Sequence, residues 1–151
     1  MKTVIVIGGG FAGTHIVKSL ERDFKVVLID TKDYFEYVPG ILRTIVEPDH
    51  IKKVQAKHVN YLKNAKLVVD SATEISRTEV KTKKSGTYIF DYLVICSGSD
   101  YNLPIKEKGI LIGSRSEHLR ESNNRLLESK RVLIVGGGLV GVELAAEICS
   151  H

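Results

Sequence analysis

Two glycine-rich stretches with the spacing G-x-G-x-x-G are the residues best suited to bind a charged ligand, and the second repeats the first near the end of the chain. Such glycines allow a tight turn, let a pyrophosphate approach the backbone and let the next helix pack closely. That helix presents free N–H groups and the positive end of its dipole to the phosphates. The glycines concerned are Gly8, Gly10, Gly13, Gly136, Gly138 and Gly141. Both stretches therefore predict a phosphate-binding turn of a dinucleotide site.

An acidic residue stands where such a site needs one. Asp30 closes an apolar run, residues 25–30, that predicts the second strand of the chain. The dinucleotide fold places an acid at this point to accept hydrogen bonds from the hydroxyl groups of a ribose. A single acid at a strand end is common, so the assignment depends on the glycine stretch that precedes it. Together they predict that Asp30 binds a ribose.

The elements that must position these residues form a strand-helix-strand unit. The β-branched residues at 4–7 predict a strand buried on both faces. Apolar residues at helical spacing predict a helix over about residues 12–21. With the strand at 25–30, this unit has two parallel strands joined by a right-handed crossover.

Further strands and a small meander follow. Residues 66–69 predict a third strand, and residues 91–98 predict another buried strand that ends in the small residues Ser97 and Gly98. Small residues at this end of a strand leave room for a ligand. Between these strands, short alternating segments over residues 72–90 predict a β-meander with a turn that contains glycine. Strands that alternate with helices predict an α/β fold.

The segments between these strands are less regular. Pro39 suits the first turn of a helix that ends at Pro48, and residues 51–65 predict a basic helix or an irregular connection. Residues 114–128 predict a polar surface helix with a capping-box pattern at its start. Its inward residues are expected to be Leu119, Leu126 and Leu127.

The second glycine stretch begins another strand-helix unit. Residues 132–135 predict its strand and residues 142–149 predict its helix. No second strand follows before His151, and a lone strand-helix pair cannot bury its own faces. We therefore expect the sequence to be the N-terminal part of a longer protein, with the residue that selects NADH or NADPH beyond His151.

Composition and charge exclude several classes of function. The 151 residues are 43% hydrophobic and 26% charged, with a formal net charge of +4. No apolar run reaches the roughly 18 residues of a membrane span, and because the first strand begins almost at once we expect no signal peptide. Cys96 and Cys149 form no disulfide framework, and no metal site is predicted. We expect solvated lysines rather than a nucleic-acid surface, and a cytoplasmic protein whose attraction to an anionic membrane surface is left open.

The combination of motifs resembles a known superfamily. Residues 91–98 are shaped like the motif D-x-L-V-I-A-T-G, and a meander separates the two glycine stretches. The chain thereby resembles, over essentially its whole length, the two-dinucleotide-binding-domain flavoproteins of the pyridine nucleotide-disulfide oxidoreductase superfamily. The resemblance implies a Rossmann-like FAD-binding domain with a parallel sheet and a small β-meander over residues 1–113. A linker helix over 114–130 and the first βα unit of a second Rossmann-like, NAD(P)-binding domain over 131–151 would follow.

The resemblance also implies roles for individual residues. Those that would contact FAD are Gly8, Gly10, Phe11, Ala12, Gly13, Asp30, Thr31, Lys32, Ala72, Ser97 and Gly98. Those that would contact NADH or NADPH are Gly136, Gly138, Leu139, Val140 and Gly141. Glu143, in the first turn of the second helix, would be a catalytic residue that orients groups or handles a proton near the nicotinamide and the flavin. The other interpretation of Glu143 is an acid that only interacts favourably with the helix dipole.

The positions of the cysteines indicate which branch of the superfamily the chain resembles. Disulfide reductases of this superfamily carry a C-x4-C pair just after the second strand, and single-cysteine NADH oxidases and peroxidases place their cysteine in the same region. Residues 30–45 contain no cysteine. The run 30–37, followed by Leu42-Arg43 and Val46-Glu47, looks like the ferroptosis-suppressor and apoptosis-inducing factor-like branch. It is also similar to type II NADH:quinone oxidoreductases.

This branch implies an FAD-dependent NAD(P)H oxidoreductase. A hydride would pass from NAD(P)H to FAD, and two electrons would then pass to an acceptor, with a quinone as the implied oxidant. Two alternatives stay open at this point: a flavin-dependent reductase of a ferredoxin- or rubredoxin-like protein, and a non-catalytic nucleotide-binding module. The oligomeric state and peripheral membrane association through a further C-terminal part are also left open.

Overall fold

The structure is a computed structural model that describes residues 1–99 and 114–151. Its strands are β1 (Thr3–Ile7), β2 (Lys25–Asp30), β3 (Tyr34–Glu36), β4 (Gln55–Lys57), β5 (Lys66–Val69), β6 (Ala72–Ile75), β7 (Glu79–Thr82), β8 (Thr87–Ile89) and β9 (Tyr92–Ile95). Its helices are α1 (Phe11–Leu20), α2 (Ile51–Val54), α3 (Ser114–Glu128) and α4 (Leu139–Ser150). Short 3₁₀ turns cover Val38–Gly40, Leu42–Ile45, Pro48–His50 and His58–Asn60.

A parallel sheet with the strand order β5-β2-β1-β9 carries the predicted strand-helix-strand unit. Ile5 of β1 lies opposite Val27 of β2 on one side and Leu93 of β9 on the other. The chain moves from β1 through β2 to β5 and then returns to the far side of β1 with β9. In open parallel sheets, such a reversal of strand order leaves a crevice at the carboxyl ends of the strands.

Apolar side chains pack on both faces of this sheet. On one face, Val17 of α1 packs with residues of β1 and β2, namely Val4, Val6, Val26 and Leu28. The other face packs against the meander through Ile5, Val27, Ile29, Val68 and Val80. Full burial of such a side chain stabilises the fold by about 1.5–3 kcal/mol relative to exposure. These two layers hold the strands, and the turns at their carboxyl ends, in place.

The predicted meander is the antiparallel sheet β6-β7-β8, and Asp70 fixes its turn. One carboxylate oxygen of Asp70 accepts hydrogen bonds from the backbone N–H of Lys84 at 2.8 Å and of Ser85 at 2.7 Å. The other accepts from the N–H of Ser71 at 2.8 Å. Burial alone would raise the pKa of Asp70, but these backbone donors outweigh it and hold the pKa well below its ordinary value.

The segment between β3 and β4 differs from the prediction. The helix expected from Pro39 to Pro48 is a series of 3₁₀ turns, in which the N–H of Gly40 bonds to the carbonyl of Tyr37, three residues back. Pro48 begins the next turn instead of ending a helix, because its fixed φ and missing N–H suit a first position. The basic stretch at 51–65 forms α2, β4 and a further turn rather than one helix.

Helix α3 has the predicted bounds but a different inward face. Leu119 is buried, packing with Ile41 and Val54, whereas Leu127 is 75% exposed. The other buried residues of α3 are Arg115 and Asn123, which lie four residues either side of Leu119. Residues four apart share one helix face. The expectation that Leu126 and Leu127 point inward was therefore wrong for Leu127. The buried face of α3 is the one that carries Arg115, Leu119 and Asn123.

The strand predicted over residues 132–135 is not formed. Leu133 is 86% exposed and Val135 is 89% exposed, and no strand is assigned there. A strand needs the backbone of a neighbouring strand to pair with, and the described residues supply none at this point. The helix after it is nevertheless present as α4, which begins earlier than predicted, at Leu139.

The described chain divides into two compact units. The first consists of Met1–Glu36 and Ala56–Ser99, and contains the parallel sheet, α1 and the meander. The described residues of the second are Tyr37–Gln55 and 114–151, and include α2, α3 and α4. None of the helices in the described ranges is both long enough and apolar enough to span a membrane.

Candidate functional site

The first glycine turn lies where the strand order of the sheet reverses. Gly8 follows β1, has a φ of +96° and donates its N–H to the carbonyl of Ile29 at 2.8 Å. This φ is in the left-handed region that favours glycine. A Cβ atom on Gly8 would also collide with the backbone carbonyl of Cys96, which follows β9. The prediction that this position requires a glycine therefore agrees with its surroundings.

The remaining glycines of the turn have opposite surroundings. A Cβ atom on Gly13 would collide with the carbonyl of Gly8, so α1 packs directly against the turn. No described atom lies within 4 Å of a Cβ atom placed on Gly10. Gly10 is the N-cap of α1 and supplies no side-chain hydrogen bond to it. The start of α1 thus has open space beside Gly10, and the first N–H groups of a helix are the groups that bind a phosphate.

Asp30 is held by the backbone on both carboxylate oxygens. Its Oδ2 accepts a hydrogen bond from the N–H of Gly9 at 2.6 Å, and its Oδ1 accepts one from the N–H of Lys32 at 3.0 Å. The Thr31 hydroxyl is 3.4 Å from Oδ1, which is a weak contact. Burial would raise the pKa of Asp30, but the contact with His58 and the backbone N–H groups outweigh it and lower the pKa. The group is therefore a carboxylate at neutral pH.

A buried histidine beside Asp30 was not predicted from the sequence. His58 is 0% exposed, and its Nε2 lies 3.5 Å from Oδ2 of Asp30. Its Nδ1 contacts the hydroxyl of Tyr61. His58 belongs to no recognised motif, so its sequence position gave no sign of this contact. The one signal was Gly9, a glycine that the spacing G-x-G-x-x-G does not require and that a close neighbour would explain.

The other residues expected to bind the first nucleotide have varied surroundings. Phe11 is 53% exposed at the start of α1, with its ring edge-on to Phe35 at 5.1 Å. Lys32 is half-buried over the ring of Tyr34, with its Nζ 5.6 Å from the ring centre. Ala72 begins β6 and is half-buried. The other exposed members of the set are Ala12, Thr31, Ser97 and Gly98.

These positions share one feature of the sheet. Gly8, Asp30 and Ser97 follow or end strands β1, β2 and β9, which are parallel neighbours. The carboxyl ends of parallel neighbours lie at the same edge of a sheet. The structure thus brings together the glycine turn, the acid and the small residues after β9, as the spacing predicted.

The second glycine stretch forms the same kind of turn. Gly136 has a φ of +112°, and a Cβ atom on Gly141 would collide with the carbonyl of Gly136. Gly138 is the N-cap of α4 with φ −75° and ψ 177°, close to the φ −75° and ψ −160° of Gly10. Leu139 is 90% exposed. Val140, which follows it in α4, is half-buried.

Glu143 lies deeper in its helix than expected, as the fifth helical residue instead of the second. It was expected in the first turn of the second helix, but α4 begins at Leu139, so Glu143 is the fifth helical residue. The reason is that Gly138, and not a later residue, caps the helix. Glu143 is exposed. Its predicted catalytic role stays a prediction.

Comparison with known protein families decides the membership of the chain. The sequence model of the family described as "Pyridine nucleotide-disulphide oxidoreductase" matches residues 2–151. The chain belongs to this family. The membership that the glycine stretches and the meander predicted is thereby confirmed.

Several curated proteins are similar to this chain over nearly its whole length. Apoptosis-inducing factor homolog B of Dictyostelium discoideum is 36% identical, covering 97% of this chain and 38% of the relative. Ferroptosis suppressor protein 1 of Taeniopygia guttata is 32% identical, covering 96% and 40%. The external alternative NAD(P)H-ubiquinone oxidoreductase B2 of Arabidopsis thaliana is 28% identical, covering 97% and 31%. These relatives confirm the predicted branch, and the chain spans about two-fifths or less of their length.

A solved structure shows the same fold. NDH2 from Plasmodium falciparum, in complex with NADH, has a TM-score of 0.75 and 16% identity, covering 97% of this chain and 36% of that one. At this identity the likeness concerns the fold alone. It confirms the predicted Rossmann-like α/β architecture for this member of the family.

Proposed function

We propose that the complete natural protein is an FAD-dependent NAD(P)H oxidoreductase. The observation that carries the proposal is the pair of glycine turns with matching backbone geometry, one after β1 and one before α4. The first is completed by Asp30 at the end of the neighbouring strand and is assigned to FAD. The second is assigned to NADH or NADPH. Membership of an oxidoreductase family supports this assignment.

The residues of the first turn fit the adenine dinucleotide part of FAD. The space beside Gly10 would hold the pyrophosphate against the free N–H groups of α1. Asp30, a carboxylate at neutral pH, would accept hydrogen bonds from ribose hydroxyls. When bound, FAD supplies a ring that takes a hydride from NAD(P)H and passes two electrons onward. The chain's own part is to bind, orient and shield the reacting groups.

We further propose that Glu143 orients groups or moves a proton near the reacting rings. It is the fifth residue of α4, is exposed, and lies two residues after Gly141, the last glycine of the second turn. A carboxylate near the N-terminal end of a helix is favoured by the dipole even without a catalytic role. Substitution Glu143→Gln separates the two roles, because it removes the proton-carrying group and keeps the shape. Slower turnover with unchanged FAD affinity supports the proposal, whereas unchanged turnover contradicts it.

The proposed electron acceptor is a quinone. A relative over nearly the whole of this chain is named as an NAD(P)H-ubiquinone oxidoreductase. Residues 30–45 contain no cysteine, so the segment after β2 offers no thiol to receive electrons. Both observations favour a small organic oxidant over a protein disulfide.

Two matched variants test the assignment of the turns. Gly10→Val and Gly138→Val each place a side chain in an open space, and neither position has a left-handed φ. For this reason we expect both variants to fold normally. We expect Gly10→Val to be purified without flavin, and Gly138→Val to retain flavin but not to be reduced by NADH or NADPH under anaerobic conditions.

The flavin absorbance band provides the measurement. In the unmodified protein, anaerobic NADH or NADPH should bleach the band, and an added soluble ubiquinone analogue should restore it. Absence of flavin from the unmodified protein, or a band that neither nucleotide bleaches, would contradict the proposed function. Restoration by a ferredoxin-like protein but not by the quinone would contradict the acceptor alone.

A further inference from the structure

A closed set of polar contacts surrounds the Gly9 peptide group. Gly9 donates its N–H to Oδ2 of Asp30 at 2.6 Å, and its carbonyl accepts the hydroxyl of Thr14 at 2.9 Å. The Thr14 hydroxyl is 3.1 Å from that of Tyr61, which contacts Nδ1 of His58. Nε2 of His58 returns to Oδ2 of Asp30 at 3.5 Å. The glycine motif accounts for none of the contacts made by His58.

His58 is fixed at the centre of this set. Its side chain is 0% exposed, and its backbone N–H donates to the carbonyl of Asp33 at 2.9 Å. Its ring lies edge-on to the ring of Tyr61, with centres 5.6 Å apart. A buried imidazole nitrogen needs a polar partner. Nε2 has no partner at full hydrogen-bond geometry among the described residues, and Oδ2 of Asp30, 3.5 Å away, is an acceptor within reach of a small adjustment.

The hydrogen-bond partners favour a hydrogen on Nε2. Thr14 gives its proton to the Gly9 carbonyl. Burial raises the pKa of Tyr61, so its hydroxyl keeps its proton. If Tyr61 donates to His58 Nδ1, the neutral ring carries its proton on Nε2. If Tyr61 donates to Thr14 instead, Nδ1–H donates to Tyr61, and the neutral ring would direct the lone pair of Nε2 towards a carboxylate, which is unfavourable.

Gly9 shows how closely His58 and Asp30 approach the turn. A Cβ atom on Gly9 would lie 2.5 Å from Oδ2 of Asp30 and 2.6 Å from Nε2 of His58. The matching glycine of the second turn, Gly137, has open space around it. The first turn therefore has a packing requirement that the glycine motif alone does not impose.

We propose that His58 is a positioning residue for the nucleotide-binding carboxylate: its Nε2–H and the N–H of Gly9 together hold Oδ2 of Asp30 and leave Oδ1 to the ligand. On Oδ1, the N–H of Lys32 is 3.0 Å away and the hydroxyl of Thr31 is 3.4 Å away. The long Thr31 contact is the one that a ribose hydroxyl of FAD replaces. This inference rests on the proposed binding of FAD at the first turn.

Variants at His58 in the complete natural protein test the proposal. His58→Phe removes the donor from Nε2, and His58→Gln keeps an N–H in about the same place. We expect FAD affinity, measured by quenching of flavin fluorescence, to fall on the order of ten- to a hundred-fold in His58→Phe. His58→Gln should recover most of this loss. His15→Phe, on the exposed surface of α1, is the matched control and should bind FAD normally.

A second measurement distinguishes positioning from general stability. ADP, 2′-deoxy-ADP and 3′-deoxy-ADP are used to compete with FAD. In the unmodified protein, one of the deoxy analogues should compete less well than ADP, because it lacks the hydroxyl that Asp30 accepts. In His58→Phe this difference should disappear, whereas a variant that is only less stable would keep it.

Nitrogen NMR of the unmodified protein reports directly on His58. A protonated Nε2 supports the proposal, and an unprotonated Nε2 overturns it, even where His58→Phe does not fold. Unchanged FAD affinity in folded His58→Phe would overturn it as well. Failure of the unmodified protein to bind FAD would be a failure of the proposed function, and is a separate outcome from these two.

Discussion

Gly9 and Gly137 occupy the same place in the two turns but have different surroundings. Asp30 and His58 fill the space beside Gly9, and no described atom lies within 4 Å of a Cβ atom on Gly137. The spacing of the motif assigns no role to this position. The surroundings of one residue therefore distinguish the two turns, although their sequences and backbone angles are alike.

This contrast leads to a stability prediction. Gly9→Ala forces a methyl group against Asp30 and His58, so we expect a loss of about 1–3 kcal/mol in the free energy of unfolding and weaker FAD binding. The matched change Gly137→Ala should alter the free energy of unfolding by no more than about 0.5 kcal/mol. Urea unfolding of both variants measures the difference. Equal losses would show that the space beside Gly9 is not filled as described.

At the scale of residues, spacing predicts close neighbours better than distant ones. The glycine spacing correctly indicated that the helix packs closely at Gly13, where a Cβ atom would collide with the carbonyl of Gly8, because the two positions belong to one local turn. His58 could not be predicted, because its contact with Asp30 joins a strand end to a 3₁₀ turn that is distant in the sequence. No local rule relates the two positions.

Among the elements, helix α3 is held by a side-chain hydrogen bond from Asn123 that no sequence pattern predicted. Nδ2 of Asn123 donates to the carbonyl of Ile45 at 2.7 Å, and lies 3.3 Å from the carbonyl of Val46. These carbonyls stand at the end of a 3₁₀ turn, where no further turn pairs them. The Asn123 side chain, on the buried face of α3, therefore caps the carbonyl end of the 3₁₀ turn Leu42–Ile45.

Neighbouring asparagines offer a test of this contact. Asn123→Ala should lower the free energy of unfolding by about 1–3 kcal/mol, because a buried carbonyl loses its donor. Asn124 is exposed, so Asn124→Ala should be neutral or slightly stabilising through helix propensity. Both variants gain the same propensity, and the difference between their thermal unfolding curves isolates the hydrogen bond. Two equal curves would exclude a contribution from Asn123.

The meander has a pH-dependent turn. The lowered pKa of Asp70 means that its contribution to stability is full above the unfolded-chain value and is lost as the pH falls toward the folded value. We expect Asp70→Asn to unfold at lower urea than the unmodified protein at about pH 7, with a smaller gap at about pH 3, below the ordinary pKa of an aspartate. Glu74→Gln, on an exposed side chain of β6, is the control. A gap that widens on acidification would contradict the assignment.

Elements were predictable where a continuous sequence pattern marked them. Strand β2 and helix α3 have the predicted bounds. A buried apolar run marks β2, and a long polar stretch without glycine or proline marks α3. The 3₁₀ turns between β3 and β4 were missed, because helical spacing over so few residues fits either kind of helix. Residues 132–135 have a strand-like sequence, but pairing needs a neighbour and the described residues provide none.

For the molecule as a whole, the two predicted sets of cofactor residues fall in different compact units. Every residue assigned to FAD lies in Met1–Glu36 or Ala56–Ser99. Every residue assigned to NAD(P)H, with Glu143, lies in residues 114–151 of the other unit. Each compact unit thus contains one glycine turn that is assigned to a nucleotide.

This division predicts separate protection of the two turns in the complete natural protein. A ligand that binds the folded state at about a hundred times its Kd stabilises that state by about 2.7 kcal/mol, which slows hydrogen exchange where opening exposes the site. FAD should therefore slow exchange of the amides at residues 8–14, and NAD⁺ should slow exchange at residues 136–142. Mass spectrometry of exchanged peptides makes the comparison. Protection of residues 136–142 by FAD with no effect at residues 8–14 would reverse the assignment of the turns, because the N–H groups that bind a phosphate are the ones that exchange most slowly in its presence.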